Sequence, residues 1–101
     1  MDSIVELIMK IKLRPGMYLG RNYISCLKAF LDGWHQRDYS NISDIEIMNK
    51  FQEKIEKSYK IKSSHSWCDI LLFYSQDESK ALDKFFKEFE EFLAEYEKKS
   101  E

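Results

Sequence analysis

The 101-residue sequence has few of the residues that turn a chain sharply, with only three glycines and one proline. A β-rich fold needs many tight turns, which glycine and proline form most readily. Their scarcity favours long helices joined by short connections. We therefore predict an all-α fold: a single domain over residues 1–101, built as a compact bundle of about five helices, with a frayed tail at 97–101.

The sequence also lacks a long apolar run. No segment approaches the roughly 18 apolar residues of a membrane-spanning helix. The first 16 residues (MDSIVELIMKIKLRPG) begin acidic and have no small-residue cleavage site, unlike a secretory signal. We expect a cytoplasmic protein without membrane association. In that compartment Cys26 and Cys68 are expected to be reduced, although the sequence leaves a disulfide between them open.

Aromatic residues are plentiful by contrast. They make up 15% of the chain, hydrophobic residues make up 44%, and the formal net charge is only −2. Disordered chains have few aromatic residues and a strong charge imbalance. The composition therefore predicts a folded domain with an aromatic core.

Apolar residues at helical spacing near the N-terminus predict a first helix, with Asp2 or Ser3 as its cap and Pro15 as its stop. The segment that follows, RPGMYLG, is bounded by proline and glycine. We predict a structural loop there that holds Met17, Tyr18 and Leu19 against the core. Its residues are Arg14, Pro15, Gly16, Met17, Tyr18 and Gly20.

Three more segments show helical features. The second helix is predicted around 24–34, followed by a break at 38–41. The third begins at a capping-box pattern, Ser43 with Glu46, and buries a stripe that includes Phe51. The apolar segment 67–75 is predicted as helix, but its periodicity leaves a strand open as the alternative.

The last helix has the clearest pattern, with an apolar stripe from Leu82 to Tyr96 and a cap at Ser75 or Asp77. Residues 77–101 also carry nine acidic and five basic side chains, a net charge of −4. Such a surplus can steer a basic partner, whereas the simpler interpretation is a solvated helix face with local ion pairs. The predicted partner-binding residues are Asp83, Glu88, Glu90, Glu91, Glu95 and Glu97.

Catalytic and metal sites are not favoured by the sequence. His35 and His65 have no set of converging ligands around them, as a zinc site requires. Cys68 follows His65 by three residues, but apolar neighbours indicate a core position. We predict no catalytic residues, no metal, no cofactor and no enzymatic activity.

Nucleic-acid binding is a weaker alternative. A lysine stripe with Tyr59 beside it is the feature that favours it. Against it, the sequence pI is about 5.7, whereas nucleic-acid binders usually present a basic domain. We expect no nucleic-acid partner. The stripe comprises Lys50, Lys54, Lys57, Lys60 and Lys62.

A succession of short motifs along nearly the whole chain resembles a family of small, uncharacterised bacterial proteins of about this length. These in turn resemble the immunity proteins of polymorphic and contact-dependent growth inhibition toxin systems. The matching positions are mostly packing residues, so no catalytic residue is carried over. They are residues 14–20, Leu27, 30–33, Phe51, Tyr59, 64–67, 70–75, 77–78, 81–82, 85–86 and 91–93.

The resemblance implies a function in protein binding. Immunity proteins as a class neutralise a cognate toxin by binding it, often over its active site, and many of these toxins are nucleases with basic clefts. It therefore implies a toxin, with a basic nuclease domain, as partner of the predicted acidic face. A helical adaptor that self-associates and a small nucleic-acid-binding regulator stay open as alternatives, as does the oligomeric state.

Overall fold

The fold is all-α, as predicted, with no strand in the described part of the chain. The computed structural model describes residues 3–37, 46–61 and 65–100, with the backbone alone at 35–37 and 97–100. It contains six helices rather than about five. They are α1 (Ile4–Leu13), α2 (Pro15–Leu19), α3 (Ile24–Arg37), α4 (Ile47–Ser58), α5 (Trp67–Ser75) and α6 (Glu78–Ser100).

The helix α1 begins and ends as the sequence predicts. The Ser3 hydroxyl accepts a hydrogen bond from the backbone N–H of Glu6 at 3.3 Å, which caps the free N–H groups of the first turn. The helix ends at Leu13, two residues before Pro15. Asp2, the alternative cap, lies outside the described residues.

The additional helix is α2, and the prediction of a loop there was wrong. Pro15 stands at its first position, where a missing N–H is harmless and the fixed φ suits a helix. Gly20 ends the helix at φ +77°, a conformation that favours glycine, and donates its N–H to the Gly16 carbonyl at 3.0 Å. Tyr18 packs edge-on against Phe30, but Met17 is 69% exposed rather than held against the core.

A carboxylate of α6 caps the start of α3. Glu78 accepts hydrogen bonds from the Ser25 backbone N–H at 3.1 Å and from its hydroxyl at 2.9 Å. The first N–H groups of a helix have no partner within that helix, so an anion placed there stabilises it. This bond ties together the starts of two helices that are far apart in sequence.

Residues 67–75 form the helix α5, so the predicted helix is confirmed and the alternative of a strand is wrong. Ser66 caps it by accepting the Asp69 N–H at 3.3 Å. Gln52 of α4 fixes its position, since its amide donates to the His65 carbonyl at 2.9 Å and accepts the Trp67 N–H at 2.6 Å.

The helices α4 and α5 run side by side in the same direction. Gln52 bonds next to the first residue of α5, and Tyr59, at the end of α4, contacts Tyr74 near the end of α5. The predicted capping residue Ser43 and the predicted break at 38–41 lie outside the described residues.

The helix α6 supplies the centre of the core and packs against α3, α4 and α5. Asp77 caps it, accepting the Lys80 N–H at 2.9 Å. Phe51 of α4 inserts among its rings, with centroid distances of 5.3–5.6 Å to three of them. The helix extends to Ser100, and the predicted fraying of 97–101 stays a prediction. The three rings are Phe85, Phe89 and Phe92.

Candidate protein-interaction surface

The predicted binding carboxylates of α6 do not form one face. Successive residues of an α-helix are turned by about 100°, so residues seven apart share a side, as do residues three or four apart. Asp83, Glu90 and Glu97 fall on one flank of the helix. Glu88, Glu91 and Glu95 fall on the other, in the same row as Lys84, and Lys80 and Lys87 lie between the two rows.

The flank toward α4 is partly neutralised. The carboxylate of Glu88, whose side chain is 15% exposed, lies 3.5 Å from the Lys54 ammonium and 3.8 Å from that of Lys84. Lys54 also donates to the Glu88 backbone carbonyl at 3.3 Å. Glu88 therefore joins α4 to α6. A partner that bound this carboxylate would have to displace both lysines.

The flank toward α1 has a similar contact, because Glu90 forms an ion pair with Lys12. A shallow groove beside this pair is bordered by Pro15, Asp83 and Lys87. Asp83 is exposed, and no ion pair links it to another residue of the described ranges. The groove carries charges of both signs, so it has no strong preference for a basic partner.

Glu91 and Glu95 are the other exposed carboxylates of the predicted set, and neither has an ion pair within the described ranges. They lie on the α4 flank, beyond Glu88. The side chain of Glu97 is outside the described residues. The structure thus leaves three of the six carboxylates, Asp83, Glu91 and Glu95, available on two separate flanks.

A different surface, on α5, combines exposure with apolar chemistry. Phe73 is 72% exposed on the side of the helix opposite the buried residues, and Tyr74, three residues after the buried Leu71, is 53% exposed near the end of the helix. Their rings meet edge-on at 5.3 Å, and Tyr74 also contacts the ring of Tyr59 at 4.8 Å. We call the exposed surface of Asp69 and Phe73, with Tyr74 at its edge, the α5 outer face.

This surface is not evident from the sequence. The apolar segment 67–75 is predicted as a helix, without an assignment of its exposed side. The available signal was that apolar residues occupy every side of α5, whereas a surface helix normally has a polar face. The buried residues are Trp67, Cys68, Ile70 and Leu71.

A groove runs beside the α5 outer face. It is bordered by Ile61 and His65 of the connection from α4, and by Asp69, Ile70 and Phe73 of α5. Its volume is about 530 Å³, the size of a site for one or two side chains. The lining is mainly apolar, and Asp69 is its only acidic residue among those described.

A second groove lies on the α4 side of Ile61. It is bordered by Glu53, Glu56, Lys57 and Lys60, two residues of each sign. Lys60, two residues after the end of α4, takes φ +56° and turns the chain. Ile61, which follows it, borders both grooves. The Ile61 N–H donates to the Glu56 carbonyl at 2.9 Å, as in the common cap with a left-handed residue.

The two cysteines and Tyr59, which the sequence offered for chemistry or binding, are all at least partly buried. Burial raises the pKa of the Cys68 thiol to about 11, and its Sγ lies 3.8 Å from the Ile24 carbonyl as a weak donor. A thiol held in this form is a poor nucleophile. Cys26 is half-buried and not bonded to Cys68. Partial burial, with Glu88 and Tyr74 adding to it, raises the pKa of the Tyr59 phenol.

The remaining site predictions can be placed only in part. His65 is an exposed residue just before the α5 cap, and the side chain of His35 is not described. In the described ranges, no three His, Cys, Asp or Glu residues converge as metal ligands would. In the lysine stripe, Lys54 is paired with Glu88, and Lys62 lies outside the described residues.

Comparison with known proteins identified no relative. The chain matches no protein-family model, no curated protein and no solved structure. None of the described helices is both long enough and apolar enough to cross a membrane.

Proposed function

We propose that this protein acts by binding another protein, as an immunity protein that neutralises a cognate bacterial toxin with a nuclease domain. The observation that carries the proposal is the α5 outer face. Phe73 is exposed on the outer side of α5, and the adjoining ring of Tyr74 is half-exposed near the end of the same helix. Aromatic residues are enriched in protein interfaces, where they often supply much of the binding energy.

The step from protein binding to toxin neutralisation is supported by the sequence resemblance. It runs from Arg14 to Leu93 and includes residues 70–75, which contain Phe73 and Tyr74. Immunity proteins need a surface for the toxin and no chemistry of their own. An exposed aromatic pair on a small helical protein suits that requirement.

The carboxylates of α6 have a secondary role in this proposal. Asp83, Glu91 and Glu95 are exposed but lie on two flanks with lysines among them, so they form no continuous acidic surface. Charge at the edge of an interface mainly raises the rate of encounter, and salt screens that effect. We propose that these residues attract a basic toxin domain, while Glu88 and Glu90 mainly hold α6 to α4 and α1.

The test begins with the gene beside this one. A toxin domain encoded there is expressed in bacteria with this protein or with its Phe73→Ser variant. The native chain should restore growth and form a stable 1:1 complex in light-scattering chromatography. Unchanged toxicity in the presence of the folded native chain would contradict the proposed function.

Self-association is a second candidate, favoured by a separate apolar region. Leu13 is 82% exposed at the end of α1, and Met17 of α2 is also exposed. Apolar surface of this kind can bury itself against another copy. A molecular mass that rises from monomer to dimer with concentration, and that stays monomeric in a Leu13→Ser, Met17→Ser variant, would favour this candidate.

A further inference from the structure

The groove beside Phe73 has a composition that selects among protein side chains. Its lining is apolar except for Asp69 and His65, and its volume of about 530 Å³ can hold a long side chain. Asp69 is exposed at this lining, and a guest that covered its carboxylate without an opposite charge would be disfavoured. The guest therefore needs both an apolar stem and a cationic end.

We propose that this groove receives an arginine side chain of the protein partner. The inference rests on the proposed function, since the arginine belongs to the basic toxin domain. Asp69 and Phe73 are four residues apart in one helix, so their side chains are neighbours on the same side. A guanidinium placed there can pair with the carboxylate while it lies over the ring.

Arginine fits better than lysine for two physical reasons. Its planar guanidinium can form two parallel hydrogen bonds to one carboxylate and can stack on an aromatic face. The lysine ammonium is a compact, strongly hydrated charge, and it loses more hydration when it enters an apolar groove. The groove should therefore discriminate between two side chains of equal charge.

Among the described residues, none that carries a charge near the groove is paired with the Asp69 carboxylate. No ion pair joins Asp69 to another residue of the described ranges, although His65 lines the same groove. In the adjoining groove the cations Lys57 and Lys60 are matched by Glu53 and Glu56. Asp69 is therefore the acidic group that a cation in this groove would meet.

The test uses a small probe, N-acetyl-arginine N-methylamide, and the full-length protein labelled with nitrogen-15. Backbone amide shifts are followed during titration with this probe and, separately, with the matching lysine derivative. We expect saturable shifts centred on Ile61, Asp69 and Phe73. The arginine probe should bind at least about threefold more tightly than the lysine probe.

Variants assign the binding to the two named side chains. Asp69→Asn and Phe73→Leu should each weaken the arginine probe about fivefold, whereas Phe73→Tyr should keep its affinity because the ring remains. Glu6→Gln, an exposed carboxylate in the first turn of α1 as Asp69 is in the first turn of α5, is the matched control and should change nothing. Equal binding of both probes, or shifts spread over the carboxylates of α6 instead, would overturn the inference.

The probe titration and the toxin-neutralisation assay together separate this inference from the proposed function. If the probe binds as described but no toxin is neutralised, the groove assignment stands and the proposed function fails. If the toxin is neutralised and Asp69→Asn and Phe73→Leu bind it normally, the groove assignment fails and the proposed function stands.

Discussion

The helices α5 and α6 pack against each other, yet their outer sides have opposite chemistry. The outer side of α6 is charged, and its acidic rows are interrupted by lysines and partly paired with Lys12 and Lys54. The outer side of α5 is largely apolar, with Phe73 and Tyr74 in water. A charged solvated helix face needs no partner, whereas an exposed aromatic pair gains free energy when a partner covers it.

This difference changes where a partner is expected. Net charge per segment suggested α6, because residues 77–101 hold most of the acidic surplus. Once the helices are assembled, lysines of other helices lie beside Glu88 and Glu90, and the surplus becomes diffuse. On α5, by contrast, Phe73 is not covered in this way by the described residues and stays 72% exposed.

The largest expected effect compares two phenylalanines. Phe89→Ala, in the buried ring cluster of α6, should lower the free energy of unfolding by about 3–5 kcal/mol because it leaves a cavity. Phe73→Ser, on the α5 outer face, should change it by less than about 0.5 kcal/mol. Urea unfolding followed by circular dichroism measures both. A large loss for Phe73→Ser would place that residue in the core.

A smaller effect compares two carboxylates of α6. Glu88→Gln should reduce stability by about 1 kcal/mol, since it removes the charge between Lys54 and Lys84. Glu91→Gln should change stability by less than about 0.5 kcal/mol, because its carboxylate is exposed and unpaired in the described ranges.

A double-mutant cycle with Lys54→Met isolates the pair. The stability lost in Glu88→Gln should largely vanish when Lys54 is already replaced. Full additivity of the two substitutions would show that Glu88 does not join α4 to α6 through this contact.

The smallest effect concerns the buried side of α5. Below pH 9 the raised pKa leaves the Cys68 thiolate fraction about a hundredfold smaller than that of an ordinary thiol. Iodoacetamide at pH 8 should therefore modify Cys68 far more slowly in the native protein than in urea, as peptide mass analysis can show. Equal rates in the two conditions would mean that the inner side of α5 is open to solvent.

The same shift predicts the direction of a pH effect. The folded state disfavours the thiolate, so stability is unaffected by Cys68 below about pH 9, where the thiol is protonated in both states. As pH rises from about 9 to about 11, the unfolded chain ionises first and stability falls. Cys68→Ala should show a shallower decrease over this range than the native protein.

The amphipathic helices, which have one apolar and one polar side, could be predicted from the sequence. Ile4, Ile8 and Ile11 of α1 are buried as their spacing indicates, and so are Leu82, Phe85 and Phe89 of α6. In each case only one side of the helix is apolar, so periodicity identifies the side that packs.

Two parts could not be predicted, for different reasons. The helix α2 has five residues, too few for a periodic signal, and it depends on Pro15 at its start and Gly20 at its end. In α5 every side is apolar, so the sequence cannot tell which side packs. That choice is made by Gln52 and the rings of α4 and α6, which lie elsewhere in the chain.

The carboxylate pairs show the same limit. Helical spacing alone places Glu88 and Asp83 on different flanks of α6. It cannot show that Lys54 approaches one flank and Lys12 the other, since those contacts depend on how α1 and α4 cross α6. Charge totals along the sequence therefore overstate how much acid is available to a partner.

The most direct test of the account is the affinity of Phe73→Ser for the toxin domain encoded beside this gene, measured by calorimetry together with the melting midpoint. We predict an affinity at least about tenfold weaker than that of the native protein, with an unchanged midpoint. Native affinity in the folded variant would contradict the claim that the α5 outer face binds the partner.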